Sequence, residues 1–128
     1  MSRWVVDSSA VLALRNREPG VERVEQAVAQ GAAISAVNLA EVVAKMSEAG
    51  SSEAMIHEML DPLELEVIGF DADLAYRTGL LRPLTRRAGL SLGDRACLAL
   101  ARRMGLPVLT ADRVWVDLGL GVEVRLIR

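Results

Sequence analysis

Short apolar runs alternate along the chain with longer segments whose apolar residues recur at helical spacing. Trp4-Val5-Val6 is a β-prone run, and Asp7-Ser8-Ser9 supplies helix-start chemistry ahead of residues 10–14, so a strand and then a helix are predicted. Pro19-Gly20 restarts the chain. Val21, Val24, Ala27 and Val28 then mark a helix that Gly31 closes, and residues 32–35 read as a second strand. After Asn38, Leu39, Val42, Val43 and Met46 fall at i, i+3, i+4 and i+7, one buried stripe of a helix ending near Gly50. Ser51-Ser52-Glu53 starts another helix, which carries Met55, Ile56, Met59 and Leu60 up to Pro62.

Residues 65–70 alternate in part and predict a third strand, followed by a helix from about Asp71 that Pro83 interrupts. Ser91-Leu92-Gly93-Asp94 opens a helix so apolar on all sides over residues 96–101 that it belongs at the centre of the core. Residues 107–110 and 122–127 read as the last two strands. Very short, all-apolar strands alternating with helices predict an α/β fold, a mainly parallel sheet covered by helices on both faces. The length of 128 residues, with 52% hydrophobic residues to build a core, predicts a single domain over residues 1–128.

Composition narrows the functional classes. No stretch reaches the roughly 18 to 20 uninterrupted apolar residues of a membrane span. The first seven residues run straight into an apolar strand ended by an acid rather than into a secretory segment, so a soluble, cytoplasmic protein is expected. The single cysteine, Cys97, has no partner for an internal disulfide and reads as a small buried hydrophobe. A net charge of −2 gives no global pull toward nucleic acid. Its distribution is more informative, because residues 82–103 hold Arg82, Arg86, Arg87, Arg95, Arg102 and Arg103 against Asp94 alone, a local balance of +5. Such a segment suits phosphates, although a solvated basic helix face explains it too.

In open parallel sheets the binding crevice lies beyond the carboxyl ends of the strands. Four acids occupy those junctions: Asp7 after the first strand, Glu41 after the second, Asp94 at the head of the apolar helix and Asp112 after the fourth strand. Each has a structural explanation, since carboxylates near helix N-termini cap and complement the dipole. Asn38-x-x-Glu41 and Ser91-x-x-Asp94 both have the form of capping boxes. Periodicity sets Glu41 away from its buried stripe, on one face with Lys45 and Glu48, as a solvated residue would be. If the four acids converge, each like-charged pair at about 4 Å costs roughly 1 to 4 kcal/mol, and the cluster needs cations. Hard oxygen ligands select magnesium or manganese over zinc, and the only histidine, His57, lies far from these junctions.

These residues carry a family resemblance. Residues 5–13, from Val5 through Asp7 and Ser8 to Ala13, look like the opening strand and first acid of PIN-domain nucleases, and within them of the VapC-type toxins. Residues 34–42, ending in Glu41-Val42, resemble the segment of the second acid. Leu92-Gly93-Asp94-Arg95-Ala96-Cys97 resembles that of the third, and Leu109-Thr110-Ala111-Asp112 followed by Trp115 that of the fourth. The resemblance implies a three-layer Rossmann-like fold, magnesium-dependent cleavage of RNA with Mn2+ able to substitute, a homodimer, and neutralisation by a cognate antitoxin. It puts Asp7, Glu41, Asp94 and Asp112 around the metal, overturning the solvated reading of Glu41, and allows Asp117 as an outer ligand.

On that reading Asp7, Asp94 and Asp112 hold the metal while Glu41 positions or deprotonates the attacking water. Ser8 and Thr110 are hydroxyls for supporting the ligands or contacting phosphate. Arg95, Arg86, Arg87 and Arg113 grip the RNA backbone. A receiver-like phospho-acceptor module fits less well, because serines follow Asp7 and the only lysine is Lys45. A dehalogenase-like phosphatase is disfavoured by Ser9, which stands where its second Asp is required. A noncatalytic RNA- or protein-binding domain on the same fold is the remaining alternative.

Overall fold

The computed structural model describes residues 1–128. Its sheet is built from five three- or four-residue strands: β1 (Trp4–Val6), β2 (Ala32–Ser35), β3 (Glu66–Ile68), β4 (Val108–Thr110) and β5 (Val124–Leu126). Their order is β3-β2-β1-β4-β5, and all four pairings are parallel. The third and fifth strands, at the two edges of the sheet, are shorter than the sequence pattern predicts.

Seven helices connect the strands: α1 (Ser8–Asn16), α2 (Val21–Gln30), α3 (Ala36–Glu48), α4 (Glu53–Leu60), α5 (Ala72–Leu80), α6 (Arg82–Thr85) and α7 (Leu92–Met104). Adjacent residues of the central strands point to opposite faces. Val6, Ile34 and Leu109 pack with Val11, Val24 and Val42 beneath α1, α2 and α3. Val5, Ala33 and Val108 pack with Leu74, Leu98 and Trp115 beneath α5, α7 and the 3-10 turn Arg113–Asp117. Two apolar layers therefore sandwich one sheet, which is the three-layer arrangement expected. Strand order places successive crossovers on opposite sides of β1, so the turns leaving β1 and β4 flank the crevice where the winding reverses.

Local chemistry sets most helix starts as the sequence indicates. Asp7, Ser52, Asp71 and Ser91 each accept a backbone N–H from the first turn they cap. At α3 the cap is Ser35 rather than Asn38. The helix begins at the strand's last residue, so Asn38 sits inside it, 1% exposed, and the capping box expected of Asn38 and Glu41 does not form.

Candidate active site

Asp7 directly follows β1, as the N-cap of α1, and is 4% exposed. Its Oδ1 accepts from the Ala10 N–H at 2.9 Å and from Ser9 Oγ at 2.7 Å, while Oδ2 accepts from Thr110 Oγ1 at 2.6 Å. The two hydroxyls reach further: Ser9 Oγ accepts the Ala111 N–H at 3.0 Å, and Thr110 Oγ1 accepts the Asp112 N–H at 3.0 Å. Together they latch the turn after β1 to the turn after β4. Burial pushes the Asp7 carboxyl up to about 6, against the lowering effect of these donors, and the charge of Asp94 adds to the rise.

Asp94, in the first turn of α7, forms the capping box that its spacing predicts, with Ser91 Oγ accepting the Asp94 N–H at 3.1 Å and Asp94 Oδ2 accepting the Ser91 N–H at 3.0 Å. Partial burial raises its carboxyl above the ordinary range despite the Ser91 bonds, and the charges of Asp112 and Glu41 raise it further. Asp94 thus feels all three of the other acids. Asp112, exposed at the head of the 3-10 turn, caps it through the Val114 N–H at 3.0 Å. Asp117 is exposed at that turn's far end.

Glu41 is no solvated helix residue. Its Oε1 accepts from Ser8 Oγ at 3.0 Å and from Asn38 Nδ2 at 2.9 Å, and Asn38 Nδ2 also donates to the Gly93 carbonyl at 3.0 Å. The carboxylate lies against Gly93 on α7, where a Cβ would overlap it. Ser9 and Asn38 are the supporting residues that the sequence reading did not identify. Asn38 left one signal, its position three residues before the acid.

The arginines divide. Arg103 is paired with Asp71 at 3.1 Å and Asp73 at 3.2 Å. Arg95 donates to the Thr78 carbonyl at 3.2 Å, tying α7 to α5, and Arg113 donates to the Arg128 carbonyl at 3.1 Å. Arg86 and Arg87 are exposed in the turn after α6. Cys97 is fully buried in α7, and its thiol is pushed well above the ordinary range by burial and by the charges of Asp7, Asp94 and Glu41. A surface groove of about 580 Å³ holds none of the four acids; it runs between α3 and α4 over Leu39, Val43, Ile56 and Leu60. It lies along the opposite flank of α3 from Glu41, as the helical spacing of Leu39, Val43 and Ser47 requires.

The donor set suits a hard cation. It consists of carboxylates and hydroxyls without sulfur or imidazole, and it includes a buried carboxylate whose charge burial disfavours. No group of three or more His, Cys, Asp or Glu side chains is already closed around a point that a metal ion would fill. Asp7 is drawn onto Ser9 and Thr110, Asp94 onto Ser91, and Glu41 onto Ser8 and Asn38, so these side chains are arranged around one crevice but engaged with their own neighbours.

The PIN domain family model matches residues 4–119. Among curated proteins none matches the chain by sequence. Among solved structures, a toxin–antitoxin complex from Klebsiella pneumoniae contains a chain that is 20% identical, with 97% of each chain covered and a TM-score of 0.76. The Mycobacterium tuberculosis toxin VapC20, described as cleaving the sarcin–ricin loop, is 19% identical over 94% of this chain and 98% of its own, with a TM-score of 0.73. DNA-bound VapBC from Salmonella typhimurium is 23% identical over the full length of both chains, with a TM-score of 0.69. No helix is long and apolar enough to cross a membrane.

Proposed function

Because the chain belongs to the PIN domain family, we propose that it is a magnesium-dependent endoribonuclease and the toxin of a toxin–antitoxin pair. The observation that carries this reading is the buried Asp7, held at the crevice between β1 and β4 and electrostatically coupled to Asp94. A carboxylate in that position gains by meeting a cation. Asp7, Asp94 and Asp112 would hold one or two magnesium ions, with manganese able to substitute; bound there, the metal activates water and offsets charge on the reacting phosphate.

The remaining roles fall to the chain's own groups. Ser9 and Thr110 orient Asp7 from both of its oxygens. Glu41 has one oxygen fixed by Ser8 and Asn38, and its other oxygen takes the proton of the attacking water. Arg86 and Arg87, exposed and free of ion pairs, meet the substrate backbone, while Arg95, Arg113 and Ser8 line its approach; Thr110, expected from the sequence as a phosphate contact, is fully buried and serves Asp7 instead. With 3% aromatic residues, the protein recognises RNA by shape and backbone more than by base stacking.

The antitoxin partner is supported by the solved neighbours that are themselves toxin–antitoxin assemblies. A homodimer is supported by Tyr76, Leu80 and Leu84, which are 76%, 72% and 64% exposed along α5 and α6. Cytoplasmic RNA would be the target. The test is incubation of the purified protein with total RNA, with and without chelator. Cleavage that needs magnesium or manganese and leaves 5′-phosphate ends is expected; metal-independent cleavage, or none in either metal, defeats the reading.

A further inference from the structure

The Asn38 amide has an arrangement that packing alone does not explain. Both of its donor hydrogens are used, one on Glu41 Oε1 at 2.9 Å and one on the Gly93 carbonyl at 3.0 Å. Its own oxygen is buried and has no partner. The reverse orientation would set that oxygen against two acceptors, so the chemistry of the neighbours fixes which way the amide faces. An orphaned buried acceptor costs stability, and an apolar residue of similar size would avoid that cost. The gain is placement of the acid.

Ser8 donates to the same Glu41 oxygen from the opposite helix, α1. Oε1 is therefore held by two donors from two elements, while no side-chain or backbone group of the chain donates to Oε2. Because Asn38 also bonds the Gly93 carbonyl, the clamp fixes α3 to the first turn of α7, one residue before Asp94. Gly93 leaves the space into which the Glu41 carboxylate fits.

We propose that Asn38 is a positioning residue that clamps Glu41 Oε1 to the start of α7 and so leaves Oε2 as the oxygen that works on substrate. This rests on the nuclease reading for its consequence, though not for the clamp itself. Asn38 touches neither substrate nor metal; it acts through Glu41.

The test is a double-mutant cycle on RNA cleavage with Asn38→Ala and Glu41→Gln, read together with the side-chain amide protons of Asn38 by NMR. Asn38→Ala is expected to lower kcat by about 30- to 100-fold, the usual cost of a misplaced catalytic group, with KM within about twofold. On the Glu41→Gln background the same change is expected to alter the residual kcat by less than about twofold. Asn38→Leu, which is of similar size and brings no unpaired polar atom, covers the case of an Ala variant that folds poorly, and is expected to lose at least as much. A kcat loss that persists undiminished without Glu41, or a wild-type kcat in Asn38→Leu, overturns the proposal. The NMR readout stands apart from activity: two slowly exchanging Asn38 amide protons are expected, one of them released in Glu41→Ala. If wild-type protein does not cleave RNA, the nuclease reading fails while that signature still decides the clamp. Fast exchange of both protons in the wild type overturns it.

Discussion

The Glu41 carboxylate occupies the space in which a Cβ on Gly93 would stand. Two helices from distant parts of the chain, α3 and α7, thus approach each other through an acid and a glycine rather than through two apolar side chains. In Gly93→Ala the added methyl displaces a carboxylate that Ser8 and Asn38 otherwise hold. Helix propensity favours alanine by about 1 kcal/mol, whereas the displaced carboxylate loses two hydrogen bonds of about 1 kcal/mol each. The expected outcome is a melting temperature a few degrees below wild type and RNA cleavage reduced about a hundredfold, read by thermal denaturation and by a single-turnover assay.

Asp7 should trade stability against function. Its carboxyl titrates at about 6 in the fold against 3.8 for the unreacted group, so the fold favours the protonated form. That stability is fully present below about pH 4 and is lost as the pH rises through about 6, so that by neutral pH the loss amounts to about 3 kcal/mol. Asp7→Asn keeps an acceptor for Ser9 and the Ala10 N–H without the buried charge. In metal-free protein at pH 7.5 the variant is expected to be more stable than wild type by about 1 to 3 kcal/mol, with the advantage gone at pH 4 and cleavage abolished. A variant less stable at both pH values refutes the assignment.

Divalent metal should reverse that order. Magnesium binding offsets the cost that burial and the Asp94 charge place on ionised Asp7, so millimolar magnesium is expected to raise the melting temperature of wild type and leave that of Asp7→Asn unchanged. The rise should shrink as the pH falls through about 6, because the proton and the cation compete for the same carboxyl. Equal shifts in the two proteins, by scanning fluorimetry, would contradict this.

Thr110→Val removes a hydroxyl that both donates to Asp7 Oδ2 and accepts the Asp112 N–H. A destabilisation of about 1 to 3 kcal/mol is expected, since two buried or half-buried polar groups lose their partner. With one donor fewer, the Asp7 carboxyl should rise further, and the acid limb of the cleavage profile should move to higher pH.

Arg86→Ala with Arg87→Ala is expected to raise KM several-fold and flatten its dependence on salt, leaving kcat nearly unchanged. Arg103→Ala should do neither, because that side chain is already paired with Asp71 and Asp73.

Much of this site was legible in the order of residues. Asp7 and Asp94 announce themselves because a strand end and a capping box are local events, fixed by neighbours two or three residues away. Periodicity sets Glu41 on a solvated face for a definable reason. A buried stripe reports only the face turned to the sheet, whereas Glu41 meets a second helix packed on the flank of α3. Lys45 and Glu48, on the same flank but further along, are exposed as the pattern requires. Asn-x-x-Glu gives Asn38 the form of a cap, but Ser35 outcompetes it by standing where the strand ends and the helix must begin. The engagement of Arg95 with the Thr78 carbonyl depends on the packing of α5 on α7, which no spacing in the sequence encodes.

Cys97 lies sealed behind the acids, its thiol disfavoured as an anion by burial and by the charges of Asp7, Asp94 and Glu41. Alkylating reagents act on thiolates. The chain therefore carries a single-site gauge of its own breathing: the rate at which Cys97 is labelled measures how often the acidic crevice and the helix beneath it come apart, without any probe having to be engineered into the protein.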